Sequence, residues 1–181
     1  ERRQNADFSS RMKSKNPKVL FTVCGRAMVD YVLDTVATLS PASVVVVIGH
    51  KGEDVQREIT RTWSEDKSHA GGIHFAWQRE QKGTGHAVMC AQDELGDLDD
   101  VLILNGDTTP LFTPELLGEF MEFHRREDAG LALISYEPDD PASYGRVLRG
   151  PKGDVTRIVE ARDLGPADLG VREANAGRSE E

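Results

Sequence analysis

Four cations fall within eight residues at Arg11, Lys13, Lys15 and Lys18. A guanidinium grips phosphate oxygens through paired hydrogen bonds and an ammonium acts as a point charge, so a loop of this kind beside a strand end suits a polyphosphate. The same residues also suit a solvated basic loop. A second stretch, Gln78-Arg79-Glu80-Gln81-Lys82-Gly83-Thr84-Gly85-His86-Ala87, follows a predicted strand and opens a predicted helix. Its glycines permit close backbone approach, and the first helical N–H groups lie open. The Gln78 amide donates and accepts in one plane, as reading a base requires. An ordinary strand-to-helix loop with Thr84 as N-cap fits the same pattern. Asn105-Gly106-Asp107 follows the apolar run Val101 to Leu104. There a carboxylate either holds Mg²⁺ between phosphates or caps turn backbone. Tyr144-Gly145-Arg146 and Val159-Glu160 offer a glycine open to backbone contact and a carboxylate that accepts from hydroxyls. Hairpin packing with a surface carboxylate is the other reading. Glu173-Ala174-Asn175-Ala176-Gly177, a small-residue loop with one amide, is a weak signal alone.

Alternating elements must position these residues. Apolar residues at Met28, Val29, Val32, Leu33, Val36 and Leu39 have helical spacing, and Ser40-Pro41 ends that helix. Val44 to Ile48 is β-branched on both faces, which predicts a strand buried on both sides. Glu53 to Trp63 reads as a surface helix with Val55, Ile59 and Trp63 inward. Ile73 to Trp77 reads as a strand, Thr84 to Leu95 as a helix and Val101 to Leu104 as another buried strand. Thr113-Pro114-Glu115 opens a helix to about Arg126, with acid at its start and Arg125 and Arg126 at its end. Gly130 to Tyr136 reads as a strand, and Gly145 to Arg149 with Val155 to Ala161 as a hairpin. Strands alternating with helices predict an α/β, Rossmann-like fold, a mostly parallel sheet flanked by helices on both faces. Ligands of such sheets bind beyond the carboxyl ends of strands, here the loops after Ile48, Trp77, Leu104 and Tyr136.

The 181 residues fit one domain, and 22 Lys and Arg against 31 Asp and Glu give a formal charge of −9. That acidic balance, without a basic face, argues against nucleic acid and anionic membranes as partners. No apolar run approaches the ~20 residues of a membrane helix. Cys24 and Cys90 form no paired motif, so a reducing cytoplasm is expected. The five histidines lack zinc-ligand spacing, and each is expected as a surface or cap residue.

Taken together and in order, these motifs resemble the sugar nucleotidyltransferase family. The resemblance is strongest to the uridylyltransferase domains of bifunctional N-acetylglucosamine-1-phosphate uridylyltransferase/glucosamine-1-phosphate acetyltransferase enzymes. It covers about residues 11 to 177 and rests on Arg11-Met12, Pro17-Lys18-Val19-Leu20, the Gln78 to Ala87 motif, Gly106-Asp107, the run from Asp140 to Arg146, and Ile158-Val159-Glu160. The Gly-Thr-Gly-His-Ala form favours uridine over thymidine, through His86 and Ala87. The resemblance implies a nucleotide-diphospho-sugar transferase fold and uridylyl transfer from UTP to N-acetylglucosamine 1-phosphate, giving UDP-N-acetylglucosamine, a cell wall precursor, and pyrophosphate. It implies Arg11 and Lys18 as catalytic groups and Gln78, Gly83 and Thr84 as nucleotide-binding. It further implies Gly145, Glu160 and Asn175 as sugar-binding, and Asp107 as ligand of a catalytic Mg²⁺.

The chain also departs from the family pattern. Glu1 to Gln4 is polar where the family has an apolar strand, and Asp7 and Ser9 stand in its glycine-rich phosphate loop. A carboxylate beside a triphosphate repels it by about 1 kcal/mol at 4 Å even in bulk water. The Asp107 loop has one residue more before Pro110, and the family's Asn-Thr-Gly is Asn175-Ala176-Gly177. The expected division is therefore an atypical polar N-terminus at 1–10, an incomplete nucleotidyltransferase domain at 11–177 and a tail at 178–181, truncated at both ends. A homo-oligomer or a partner chain would supply the missing elements. The alternative is a catalytically inactive fragment or degenerate relative that retains at most nucleotide-sugar binding.

Overall fold

Thr22–Val23 (β1) and Arg26–Ala27 (β2) form a short antiparallel hairpin whose turn, Cys24 and Gly25, has positive φ at both residues. These belong to a computed structural model that describes residues 16–65, 72–107, 112–141 and 144–176. The chain divides into two compact units. One comprises the residues through Val101 with Gly106–Pro114; the other comprises Leu102–Asn105 and the chain from Glu115 onward.

In the first unit, β2 runs into helix α1 (Met28–Thr38), followed by strand β3 (Ser43–Ile48), helix α2 (Gly52–Glu65) and strand β4 (Gly72–Trp77). Strands β3 and β4 pair in parallel, from Ser43 opposite Gly72 to Ile48 opposite Trp77. Parallel pairing requires a crossover, which α2 supplies. The helical periodicity places Val29 and Leu33 of α1 and Val55 and Ile59 of α2 in one core with Ala27 and Ile48. Ile59 is wholly buried, so truncating it to Ala would cost about 2–5 kcal/mol. Gly52 sets how closely α2 approaches the strands, because a Cβ there would lie 2.8 Å from the Trp77 ring. Asp30, buried beside this core, accepts a hydrogen bond from the Thr62 hydroxyl at 3.2 Å.

Two expectations on this side need correction. The helix predicted for Thr84 to Leu95 is two, α3 (Thr84–Cys90) and α4 (Gln92–Leu95). They part at Ala91, whose N–H bonds the Val88 carbonyl in a tightened turn. Val101 to Leu104 forms no strand, and Val101 and Ile103 are 46% and 58% exposed. A strand exists only where a neighbour satisfies its N–H and C=O groups, and among the described residues none pairs with this run.

The second unit carries helix α5 (Pro114–Arg126) from Glu115 onward, with Glu115 in its first turn and His124, Arg125 and Arg126 in its last. That arrangement matches the helix dipole, as expected. A small sheet follows, built from β5 (Ser135–Tyr136), β6 (Arg146–Arg149), β7 (Val155–Val159) and β8 (Ala174–Asn175). Its order is β5-β8-β6-β7 and every pairing is antiparallel. The predicted hairpin is β6–β7, and the strand predicted for Gly130 to Tyr136 shrinks to its last two residues. The expected mostly parallel sheet is thus corrected: among the described residues only β3–β4 is parallel, and the sheets are separate pieces. Val147 and Ala174 are fully enclosed. No described helix is long and apolar enough to cross a membrane.

Candidate functional site

Gln78 leaves β4 with its N–H bonded to the Ile48 carbonyl at 2.8 Å, one step beyond the parallel ladder. Its side-chain Nε2 donates to the Gly83 carbonyl at 3.0 Å and so closes the loop 78–83 on itself. Gly83 has φ +89°, a backbone that favours glycine, and precedes the first helical residue, Thr84. Gly83, not Thr84, therefore occupies the N-cap position. Gly49 gives this loop room, since a Cβ there would lie 3.3 Å from the Gln78 carbonyl oxygen. The three residues expected to bind nucleotide are thus neighbours in one ordered turn. Arg79 lies over the Trp77 ring, 5.0 Å from its centroid.

His86 was expected as a surface or cap residue. It is half-buried, and its Nδ1 lies 3.2 Å from Gln78 Nε2, with the Cys90 sulfur 3.9 Å from the same nitrogen. With Nδ1 as acceptor, both protons of the Gln78 amide nitrogen are engaged, which fixes the amide and leaves its oxygen as the remaining polar atom of the side chain. The signal was present in the sequence: His86 and Cys90 are four apart on one helix face, and His86 follows a loop that must fold back.

Lys18 opens a single 3₁₀ turn, Lys18–Leu20, with an exposed side chain. Asp107 lies exposed in a turn after Gly106. The two turns touch through Val19, whose Cγ1 would lie 3.1 Å from a Cβ placed on Gly106. A cation and a carboxylate thereby come from adjoining turns of one unit. Arg11 lies outside the described residues.

In the second unit the structure gathers Gly145, Glu160 and Asn175. The Asn175 N–H donates to the Gly145 carbonyl at 3.0 Å, and a Cβ on Gly145 would lie 3.7 Å from Glu160 Oε2. Buried Arg146 holds the preceding turn, donating from Nη1 to the Pro141 and Tyr144 carbonyls. The Tyr136 and Tyr144 rings meet edge to face with centroids 5.5 Å apart. Sequence reasoning named the loop from Glu173 to Gly177 for its Asn175 and missed the role of Glu173, which neighbours this group. Its carboxylate accepts Arg149 Nε and Nη2 at 2.7 and 2.6 Å and the Ser135 hydroxyl at 2.6 Å. The Arg149 guanidinium, then the Ser135 hydroxyl, hold its pKa down at about 2. No local pattern signals this, because Arg149 and Ser135 are 24 and 38 residues away.

The residues expected at a base and at phosphate and metal therefore belong to the first unit, and those expected at a sugar to the second. Comparison with known proteins fits that inventory. The sequence matches the MobA-like NTP transferase domain over residues 5–164. It is 41% identical over 173 residues to the bifunctional protein GlmU of Lactobacillus delbrueckii subsp. bulgaricus, covering 95% of this chain and 35% of that protein. The GlmU of Pelotomaculum thermopropionicum is 44% identical with the same coverage. The chain thus spans about a third of the length of these curated relatives. Among solved structures, UDP-glucose pyrophosphorylase complexed with UDP-glucose superimposes with a TM-score of 0.62 at 16% identity, covering 96% of this chain and 70% of that one. HddC from Yersinia pseudotuberculosis complexed with GMP-PN gives 0.61 at 19% identity, covering 81% and 61%. At such identities the likeness establishes an α/β nucleotidyltransferase fold. The resemblance read from the motifs and the matched domain agree: this chain belongs to the MobA-like NTP transferase family and is related to the GlmU proteins.

Proposed function

We propose that this chain transfers a uridylyl group from UTP to N-acetylglucosamine 1-phosphate, forming UDP-N-acetylglucosamine and pyrophosphate. The observation that carries the reading is the closed loop 78–83, in which Gln78 is tied to Gly83 and braced by His86. A planar amide held this way presents its oxygen to a base N–H, which uracil offers at its ring nitrogen. About 40% identity to GlmU proteins and the Gly-Thr-Gly-His-Ala motif support the uridine and hexosamine assignment.

The sugar phosphate would attack the α-phosphorus in line, with pyrophosphate leaving. No covalent enzyme intermediate is needed, so positioning and charge neutralisation carry the chemistry. Lys18 would balance charge at the α-phosphate, and Arg11 would stabilise the departing pyrophosphate. Gln78, Gly83 and Thr84 would hold the nucleoside. Glu160 would accept from sugar hydroxyls, with Asn175 and the Gly145 backbone completing that set. A single exposed carboxylate fits Mg²⁺, which takes one or two carboxylates and fills its octahedron with water and phosphate oxygens. Asp107 would hold it, and the bound ion would supply neutralisation of phosphate charge.

Pyrophosphate release from UTP and N-acetylglucosamine 1-phosphate with Mg²⁺ tests the proposal. Release is expected, and Asp107→Ala should abolish it. A folded chain that releases none would favour the second reading, a relative that binds nucleotide sugar without turnover. The feature favouring that reading is the pair Asp7 and Ser9 in the family's phosphate loop.

A further inference from the structure

Strand β8 is two residues long. A strand that short makes too few ladder bonds to fix its own register, and a one-residue slip would turn every side chain to the other face. Side chains supply what the ladder lacks. Glu173, immediately before β8, takes both Arg149 Nε and Nη2 and the Ser135 hydroxyl on its carboxylate. The Arg149 Nη1 is used as well, donating to the Gly153 carbonyl at 2.7 Å, so the guanidinium is held on three sides. Arg149 also sits at the register shift of β6, a place where a bulge redirects a side chain. The Glu173 backbone carbonyl accepts the Val147 N–H at 2.9 Å. On its other side, Arg172 donates to the Pro138 and Asp139 carbonyls. Directly after this anchor come the Asn175 N–H on the Gly145 carbonyl and the Ala176 N–H on the Ile134 carbonyl.

We infer that Glu173, with Arg149 and Ser135, is a positioning residue: it pins β8 so that Asn175 meets a sugar 1-phosphate in one orientation relative to Gly145. The inference rests on the sugar-binding reading proposed above. The carboxylate is suited to the task, since its side chain is only 17% exposed and an arginine fork gives direction as well as attraction. Its depressed pKa agrees, because such a group remains charged through the range in which enzymes work.

The test compares the full chain with Glu173→Gln and Ser135→Ala, in steady-state kinetics and in amide hydrogen exchange. Glu173→Gln should raise KM for N-acetylglucosamine 1-phosphate about tenfold while KM for UTP moves less than about twofold. It should also speed exchange at Asn175 and Ala176 about tenfold without altering β3. Ser135→Ala, which keeps the ion pair and serves if Glu173→Gln fails to fold, should raise the same KM about threefold. The exchanged pair Arg149→Glu with Glu173→Arg should restore part of the loss. An active parent whose variants keep the sugar KM, or raise both KM values together, overturns the inference alone. A parent that turns over no sugar phosphate overturns the functional reading instead. Unchanged exchange at Asn175 in Glu173→Gln overturns the inference whatever the activity.

Discussion

Gln78 makes its own contacts without an ion pair: to the Ile48 and Gly83 carbonyls and to His86 Nδ1. Around Asn175 the polar groups are held by an ion pair, with Arg149 gripping Glu173 beside a two-residue strand. The first arrangement grows out of a six-residue parallel pair, so the backbone does most of the positioning. The second has little ladder to rely on and recruits charge. A lock built without an ion pair works by shape and keeps its strength in salt. A partly exposed ionic lock is directional, but salt and acid both weaken it.

The largest expected effect tests whether the first unit carries the chemistry at all. Lys18→Ala or Asp107→Ala should lower turnover by about a hundredfold or more with circular dichroism unchanged, as loss of a charge-stabilising group does. Equal loss of folding in both would assign the adjoining turns a structural role. Next, Gln78→Ala should raise KM for UTP by about thirtyfold and leave the sugar KM near its parent value, the mirror image of Glu173→Gln. If both variants shift both constants, the contrast between the two locks fails. Gly52→Ala then tests the backbone support of the first lock. Its Cβ would press on the Trp77 ring at 2.8 Å, and the melting temperature should fall by several degrees, about 1–3 kcal/mol of overpacking.

The smallest effect is the pH response of the second lock. Glu173 titrates near 2 in the folded chain, below the ordinary value of about 4.3. Its stabilising contribution is therefore complete above the ordinary carboxylate range and drains as pH falls from there through about 2. Exchange protection at Asn175 and Ala176, relative to intrinsic rates, should drop between pH 4.5 and 2.5, and Glu173→Gln should flatten that drop. A parent with no such drop would mean that the clamp is not ionic.

Much of this was legible in the residues. The spacing of Val29, Leu33, Val55 and Ile59 marked both helices and their buried faces. Thr113-Pro114-Glu115 marked the start of α5, and the run from Gly150 to Asp154 marked the β6–β7 turn. The glycine pattern marked the loop at Gln78. What was not legible depends on partners distant in sequence. Val101 to Leu104 has the composition of a buried strand, but a strand is made by its neighbours, and composition says nothing of whether they are there. Glu173 stood in a candidate loop whose signal was weak, and its own role was not legible because its partners are Ser135 and Arg149. His86 lay inside the motif yet was expected as a surface or cap residue; its spacing to Cys90 was legible, but its contact with Gln78 shows only when the loop closes.

Because β8 pairs with β5, Asn175 meets Ser135 only after some forty residues have been laid down between them, whereas β3 meets β4 across the shorter span of α2. Closing the longer loop has the greater entropic cost and is slower. On a ribosome the loop 78–83 has all its partners once the chain has emerged through His86 and Cys90. The group around Asn175 must wait for residue 176. A pulse-labelled chain arrested after Val147 and before Glu173 should protect the β3 amides and leave Val147 open.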